Sequence, residues 1–456
     1  MSDYNFLMES RLSHEQFQML NHLSRIAGSQ GLNLYLVGGA VRDLTYGQQV
    51  IRDLDFAVEG NPQKIFRLLQ SPPRGSEPAP ARIAHLQHQS RLDSAEITFT
   101  NGVRAEIAMT RSEFYPKPGR RPEIAAAGIF EDLRRRDFSV NAMAVSLHPN
   151  SRGLLLDPTN GAADIERREL RVLHSRSFQE DPSRVYRVLR LGMRLDFKPE
   201  ERTRMWLDQA LESRAWERMD PEQQGLELRA ILQEDNPGRV LKGLADRKLL
   251  AGLDRKLGTA RLPYDHFARI RSVVQSIPRA DAFLLSFHCL TVKLGGAQAK
   301  RLAAKIIKDR KTARMALGLE GAARKLARVL GGSKAALPSQ TYTLLSDQPL
   351  PLLAFLLVNY RQTKIQARVK SFLFKYPIVR ARMPRAELLT LGLDAGPKFE
   401  KIFHHLFLAQ LDGKIKTHPQ LLKEFRVLAG IKEPEPKPAH AAASHPKGKG
   451  KPPKKK

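Results

Sequence analysis

Asp53 and Asp55 stand one residue apart in the run Asp53–Val58 (DLDFAV), where acidic and apolar residues alternate. A period of two predicts a half-buried strand, with Leu54, Phe56 and Val58 toward a core and both carboxylates on the opposite face. Two carboxylates side by side repel unless a cation lies between them. A divalent metal with oxygen ligands answers that repulsion, and Mg²⁺ usually keeps substrate phosphates among its other ligands. Two-metal phosphoryl transfer needs such a pair and a third acid. Glu106, between Ala105 and Ile107 on a strand after the Asn101-Gly102 turn, is the expected third acid. Glu96, on the partner strand, is its competitor. The plainer reading of Asp53 and Asp55 is a solvated strand edge.

Three further segments carry charge in patterns that suit a phosphorylated substrate. Gly38 and Gly39 follow the apolar run Leu32–Val37 and open a helix with Arg42 one turn in. Glycines at that junction let backbone approach a phosphate, and the helix N-terminus favours negative charge. Arg42 could then clamp a triphosphate. In Glu131–Ala142 (EDLRRRDFSVNA), Arg136 is the arginine expected to face a nucleotide, with Asp137 and Asn141 holding a sugar or bracing the site. In Glu180–Arg194, Arg184, Arg187, Arg190 and Arg194 recur at helical spacing. Neighbours at that spacing repel, so an anion such as a nucleotide or an RNA backbone is expected against them. Asp181 before Pro182 also reads as a helix cap, with Arg184 as its ion-pair partner.

These groups need elements to hold them. Ser13 and Gln16 have capping-box spacing, ahead of Phe17, Leu20, Leu23 and Ile26 at helical intervals. A helix over Val41–Leu44 and a hairpin of Glu96–Thr100 with Val103–Met109 complete a mixed α/β head. Ser71–Ala81 reads as a surface insertion, and Tyr115–Gly128 as a mobile loop. From about Glu166 the chain reads as helices throughout. Residues 301–330 hold nine Lys/Arg against two acids, and residues 361–385 hold eight against none. Glu433–Lys456 is Pro, Ala and Lys, and reads as a disordered basic tail.

The whole chain of 456 residues carries 76 Lys/Arg, 47 Asp/Glu and a net charge of +29. That field attracts polyanions, with nucleic acid first and an anionic membrane surface second. The longest apolar stretch, Pro349–Val358, is far short of the ~20 residues of a membrane helix. No signal peptide is visible at the start, and the single Cys289 excludes an internal disulfide framework, so a reducing cytoplasm is expected. His288 and Cys289 in an apolar run read as core residues.

Four ordered blocks resemble one family: Val37–Asp43 (VGGAVRD) with Asp53–Asp55 (DLD), Glu131–Ala142, Asp157–Asp164 (DPTNGAAD), and Glu180–Phe197. The chain resembles the bacterial tRNA nucleotidyltransferases and poly(A) polymerases, class II nucleotidyltransferases that include CCA-adding enzymes. The resemblance covers about 160 residues, Tyr35 to Phe197; beyond it the chain matches in helical character and charge. It implies an α+β fold: a polymerase-like mixed-sheet nucleotidyltransferase head (1–147), then an all-α neck (148–235), body and tail (236–432), ahead of the basic tail (433–456). It implies Asp53 and Asp55 as metal ligands, and Gly38, Gly39 and Arg42 at the triphosphate. Arg136, Asp181, Arg184, Arg187 and Arg190 become nucleotide contacts, with Asp181 and Arg184 reading the base. An Asp accepts from the exocyclic amine of adenine or cytosine and an Arg donates to ring acceptors. The implied activity is template-independent addition of CMP and AMP, from CTP and ATP, to the 3′ end of tRNA. Addition of CC alone or A alone, and poly(A) synthesis, use the same chemistry. A non-catalytic RNA-binding protein is the reading from another class. Oligomeric state is not legible.

Overall fold

Seven strands form the sheet of the head, and the computed structural model orders them by register. It describes residues 3–431, less positions 49, 74, 76, 77, 90–92 and 279, so the basic tail lies outside the described residues. The strands are β1 (Asn33–Val37), β2 (Leu54–Glu59), β3 (Ile83–Gln89), β4 (Ser94–Phe99), β5 (Arg104–Met109), β8 (Ala144–Ser146) and β9 (Leu155–Leu156). Between them β6 (Arg111–Phe114) and β7 (Glu123–Ala126) make a separate antiparallel ribbon. The segment expected to be a loop therefore includes a strand and closes a hairpin. Across the sheet the order is β3-β4-β5-β2-β1-β8-β9. Only the β2–β5 pairing is parallel within it; the others are antiparallel.

Local signals place most of these elements. The capping box of Ser13 and Gln16 starts the helix His14–Ser29, whose Met19, Leu20 and Leu23 are buried. The Asn101-Gly102 turn joins β4 to β5, with Gly102 at φ 89°, a region open to glycine. Leu54, Phe56 and Val58 are buried on one face of β2. On the other face Tyr35, Val37, Ala57 and Ala144 pack with Ile129 and Leu133 of the helix Ile129–Arg134. That helix brings the arginine-rich segment onto the face that carries Asp55.

Downstream the described chain is helical apart from the two-residue pairing of Glu169–Leu170 with Lys198–Pro199. The chain divides into two units, Met1–Leu319 and Glu320–Lys456. The second unit has a core of Phe399, Phe403, Leu406, Phe407 and Phe425. No described helix is long and apolar enough to cross a membrane. Cys289 is buried, as its apolar context implied, and burial pushes its thiol up to about 12.

Candidate active site

One row of residues crosses the sheet at a single level. Register pairs Ala144 with Val37, Val37 with Asp55, Asp55 with Glu106, Glu106 with Glu96, and Glu96 with Gln87. Paired residues share a face, so three carboxylates stand side by side. Strands lie about 4.8 Å apart, which sets Glu106 next to Asp55 and Glu96 roughly 10 Å away. Glu96 also accepts from Gln89 Nε2 at 3.0 Å. Burial, then Glu106 and Asp53, push Asp55 up to about 7, with Arg136 and Arg42 opposing. Burial and Glu96 raise Glu106 as well.

Asp53 departs from expectation. It precedes β2, is exposed, and its Oδ1 accepts from Arg104 Nε at 2.7 Å. Two carboxylates, not three, converge: among the described residues no three of His, Cys, Asp and Glu surround a common metal-binding point. The fit to a divalent cation rests on Asp55 and Glu106. They are adjacent, poorly solvated acids whose mutual repulsion a hard cation with oxygen preference would relieve.

The glycine turn sits against this row. Gly38 has φ 66° and ψ −130°, beyond the range of other residues, and opens the helix Gly39–Tyr46. A Cβ at Gly38 would lie 3.0 Å from Arg136 Nη1 and 3.6 Å from Asp55 Oδ2. One at Gly39 would lie 3.5 Å from Arg42 Nη2 and 3.9 Å from Asp55 Oδ2. Two glycines, two guanidinium groups and the Asp55 carboxylate therefore line one small space. Arg42 is buried, donating to Asp43 at 2.8 Å and to Asn141 Oδ1 at 2.6 Å. Asn141 in turn donates to Asp137 Oδ1 at 3.0 Å, so Asp137 and Asn141 brace Arg42. Arg136 is held by Asp132 Oδ2 at 2.8 Å, and Arg135 by Asp132 Oδ1 at 2.6 Å. These two cations keep buried Asp132 below the usual carboxylate range, although burial alone would raise it.

The neck meets the head at Arg184, whose Nη2 donates to the Arg135 carbonyl at 2.9 Å. Arg184 is 3% exposed, and its Nε and Nη1 have no hydrogen-bond partner. Asp181 Oδ1 accepts from the Ser183 amide at 3.0 Å, ahead of the helix Ser183–Leu195, whose N-cap is Pro182 rather than the expected Asp181. Its Oδ2 faces Arg184 Nε and Arg187 Nη1, each at 3.8 Å. Arg187 and Arg190 correct the expectation of an external anion. Arg187 donates to Glu227 at 2.7 Å and Arg190 to Glu234 at 2.9 Å, with Arg194 3.7 Å from Glu234. Carboxylates on and just after the helix Pro221–Leu232 neutralise the arginine ladder within the chain. Sequence reasoning missed both acids; their seven-residue separation, two helical turns, was the available signal. It also missed Glu113 and Tyr115. Tyr115 Oη donates to Glu113 at 3.1 Å, and Glu113 accepts from Arg135 at 2.8 Å.

The block Asp157–Asp164 is structural. Asp157 caps the helix Gly161–Arg167 through the amides of Gly161 and Ala162, at 2.7 and 2.9 Å. Buried Asp164 accepts from Ser139 and pairs with Arg171.

Paired acids on a mixed sheet, a glycine turn walled by arginines and a helix at its mouth make a site suited to a phosphorylated substrate. Residues 34–171 match the family described as Poly A polymerase head domain. The chain is 38% identical over 255 residues to a CC-adding tRNA nucleotidyltransferase of Deinococcus radiodurans, covering 54% of this chain and 62% of that protein. It is 25% identical over 422 residues to an A-adding tRNA nucleotidyltransferase of Geobacter sulfurreducens, covering 90% of this chain and 47% of that one. The chain thus spans about half the length of the curated relatives it matches. The structure of a CCA-adding enzyme, apo form II, aligns with TM-score 0.50 and 26% identity over 94% of this chain and 99% of that one. Residues 34–171 thus carry the similarity to the head-domain family, and the chain as a whole is similar to tRNA nucleotidyltransferases.

Proposed function

We propose that this protein is a template-independent RNA nucleotidyltransferase that adds CMP and AMP, from CTP and ATP, to the 3′ end of tRNA. The observation that carries the reading is the row Asp55–Glu106 beside Gly38 and Gly39, with Arg42 and Arg136 on the same space. Asp53, Asp55 and Glu106 would hold Mg²⁺, which when bound activates the RNA 3′-hydroxyl and offsets charge on the leaving pyrophosphate. The chain's own groups do the rest. Gly38 and Gly39 let the triphosphate approach backbone. Arg42 and Arg136, already aimed by Asn141 and Asp132, neutralise its oxygens. Asp181 and Arg184 face the base, and the basic second unit binds RNA backbone. The 3′ oxygen bonds to the α-phosphorus as the bond to the bridging α–β oxygen breaks, releasing pyrophosphate. We place this work in the cytoplasm, with neck and body boundaries near residues 147 and 235.

A second reading shares this chemistry: a split enzyme adding CC only or A only. CC-adding and A-adding proteins among the matched relatives favour it. The test is extension of a tRNA transcript lacking CCA with CTP, ATP or both. Three added residues, with C required before A, support CCA addition. Two C, or one A on a CC end, support a split enzyme. Arrest by chelator and recovery with Mg²⁺ are expected. RNA binding without incorporation would overturn both readings.

A further inference from the structure

Near Asp181 three buried polar atoms lack a hydrogen-bond partner: Nε and Nη1 of Arg184, with Nε 3.8 Å from Asp181 Oδ2, and Oε1 of Gln223. Buried polar groups are nearly always satisfied, because each orphan costs about 1–3 kcal/mol. Three on the two side chains that contact Asp181 point to a ligand whose own polar edge completes them. Gln223 lies on the helix Pro221–Leu232, and its Nε2 donates to Asp181 Oδ1 at 3.4 Å. The contact is long, but its sense is set: the reversed amide would put oxygen against a carboxylate. Asp181 thus fixes which end of the Gln223 amide stays free, and that end is an acceptor.

We propose that Gln223 is a further specificity-determining residue, taking one hydrogen of the exocyclic amine of the incoming cytosine or adenine while Asp181 Oδ2 takes the other. This inference rests on the function proposed above. An amine has two hydrogens, and two acceptors are at hand: Asp181 Oδ2, beside Arg184, and Oε1 of the Gln223 amide that contacts Asp181. Arg184 supplies the donors for the ring nitrogen or carbonyl beside the amine. Uracil and guanine present a carbonyl where the amine would be, opposite two acceptors, so both are rejected by repulsion as well as by lost bonds. The amide orientation matters here. A glutamine free to turn would donate to a carbonyl and accept from an amine equally well; the contact with Asp181 removes that choice. Sequence inspection had no means to find Gln223, since it lies 42 positions from Asp181 and matches no motif.

The test uses the full chain with Mg²⁺ and a tRNA transcript lacking CCA, comparing kcat/KM for CTP, ATP and UTP in wild type, Gln223→Leu and Gln223→Met. Wild type is expected to prefer the amine-bearing nucleotides. Both variants are expected to narrow the CTP-over-UTP ratio about tenfold, chiefly by raising KM for CTP and ATP. An unchanged ratio, with all three nucleotides affected alike or not at all, would overturn the role of Gln223 and leave the proposed activity standing. If wild type incorporates no nucleotide, the activity falls and this inference with it. Equal melting temperatures separate a specificity effect from a folding defect, and Met, near Gln in length, serves where Leu does not fold.

Discussion

Asp55 owes its environment to its neighbours across the sheet more than to Asp53, its neighbour along the chain. Glu106 is opposite it, whereas Asp53 is exposed and paired with Arg104. Glu106→Gln is therefore expected to lower incorporation on the order of 10²-fold or more, and Glu96→Gln by only a few-fold. The reverse order of losses in a single-turnover assay would put the third carboxylate at Glu96. Asp132 gives a pH signature away from the acids of the sheet. Its carboxyl is held below the ordinary value by Arg136 and Arg135 against the opposing effect of burial. A depressed folded value contributes stability above the unfolded value of about 3.9, lost as pH falls through the lower folded value. Asp132→Asn is expected to be less stable than wild type near neutrality, with the gap closing as pH drops below about 4. A gap in urea midpoint that persists at acid pH would refute it. Asp53, Asp55, Arg42 and Arg136 were legible because each stands in a short local pattern. The pairing of Asp53 with Arg104 was not, since its partner lies 51 positions away on another strand.

The elements that carry the site are held by close backbone approaches. The helix Gly161–Arg167 begins where a Cβ on Gly161 would collide with the Ser139 carbonyl oxygen and touch Met143. Ser139 and Met143 flank Asn141, the brace of Arg42. Gly161→Ala is expected to cost about 1–3 kcal/mol by displacing that segment, and to lower activity as Arg42 loses its brace. A melting temperature within a degree of wild type would count against it. The hairpin of β6 and β7 is tied to the neck as well: Arg121 pairs with Glu222, and the Gly119 amide donates to the Glu180 carbonyl at 3.2 Å. Proline and glycine content read this segment as a loop. Turn residues mark where a chain reverses but say nothing of the four-residue strands on either side, which form only by pairing.

Over the whole molecule, charge bears on the RNA binding proposed above. With a net charge of +29, tRNA affinity is expected to fall linearly in log–log terms with salt. Removing residues 432–456, which hold eight lysines and two glutamates, is expected to weaken binding and flatten that slope without altering nucleotide preference. A slope unchanged by filter binding would assign RNA affinity to the helical part alone. Composition, the glycine turn, the acidic alternation, the capping signals and the Asn-Gly hairpin were decided locally, by periodicity and turn chemistry, and so could be read along the chain. The parallel register of β2 with β5 joins segments about 50 positions apart, and no local pattern encodes it. The same holds for the neck, where Glu227 and Glu234 neutralise arginines 40 and 44 positions earlier. An ion pair is a property of distance in space, and only the folded chain brings those charges within reach of one another.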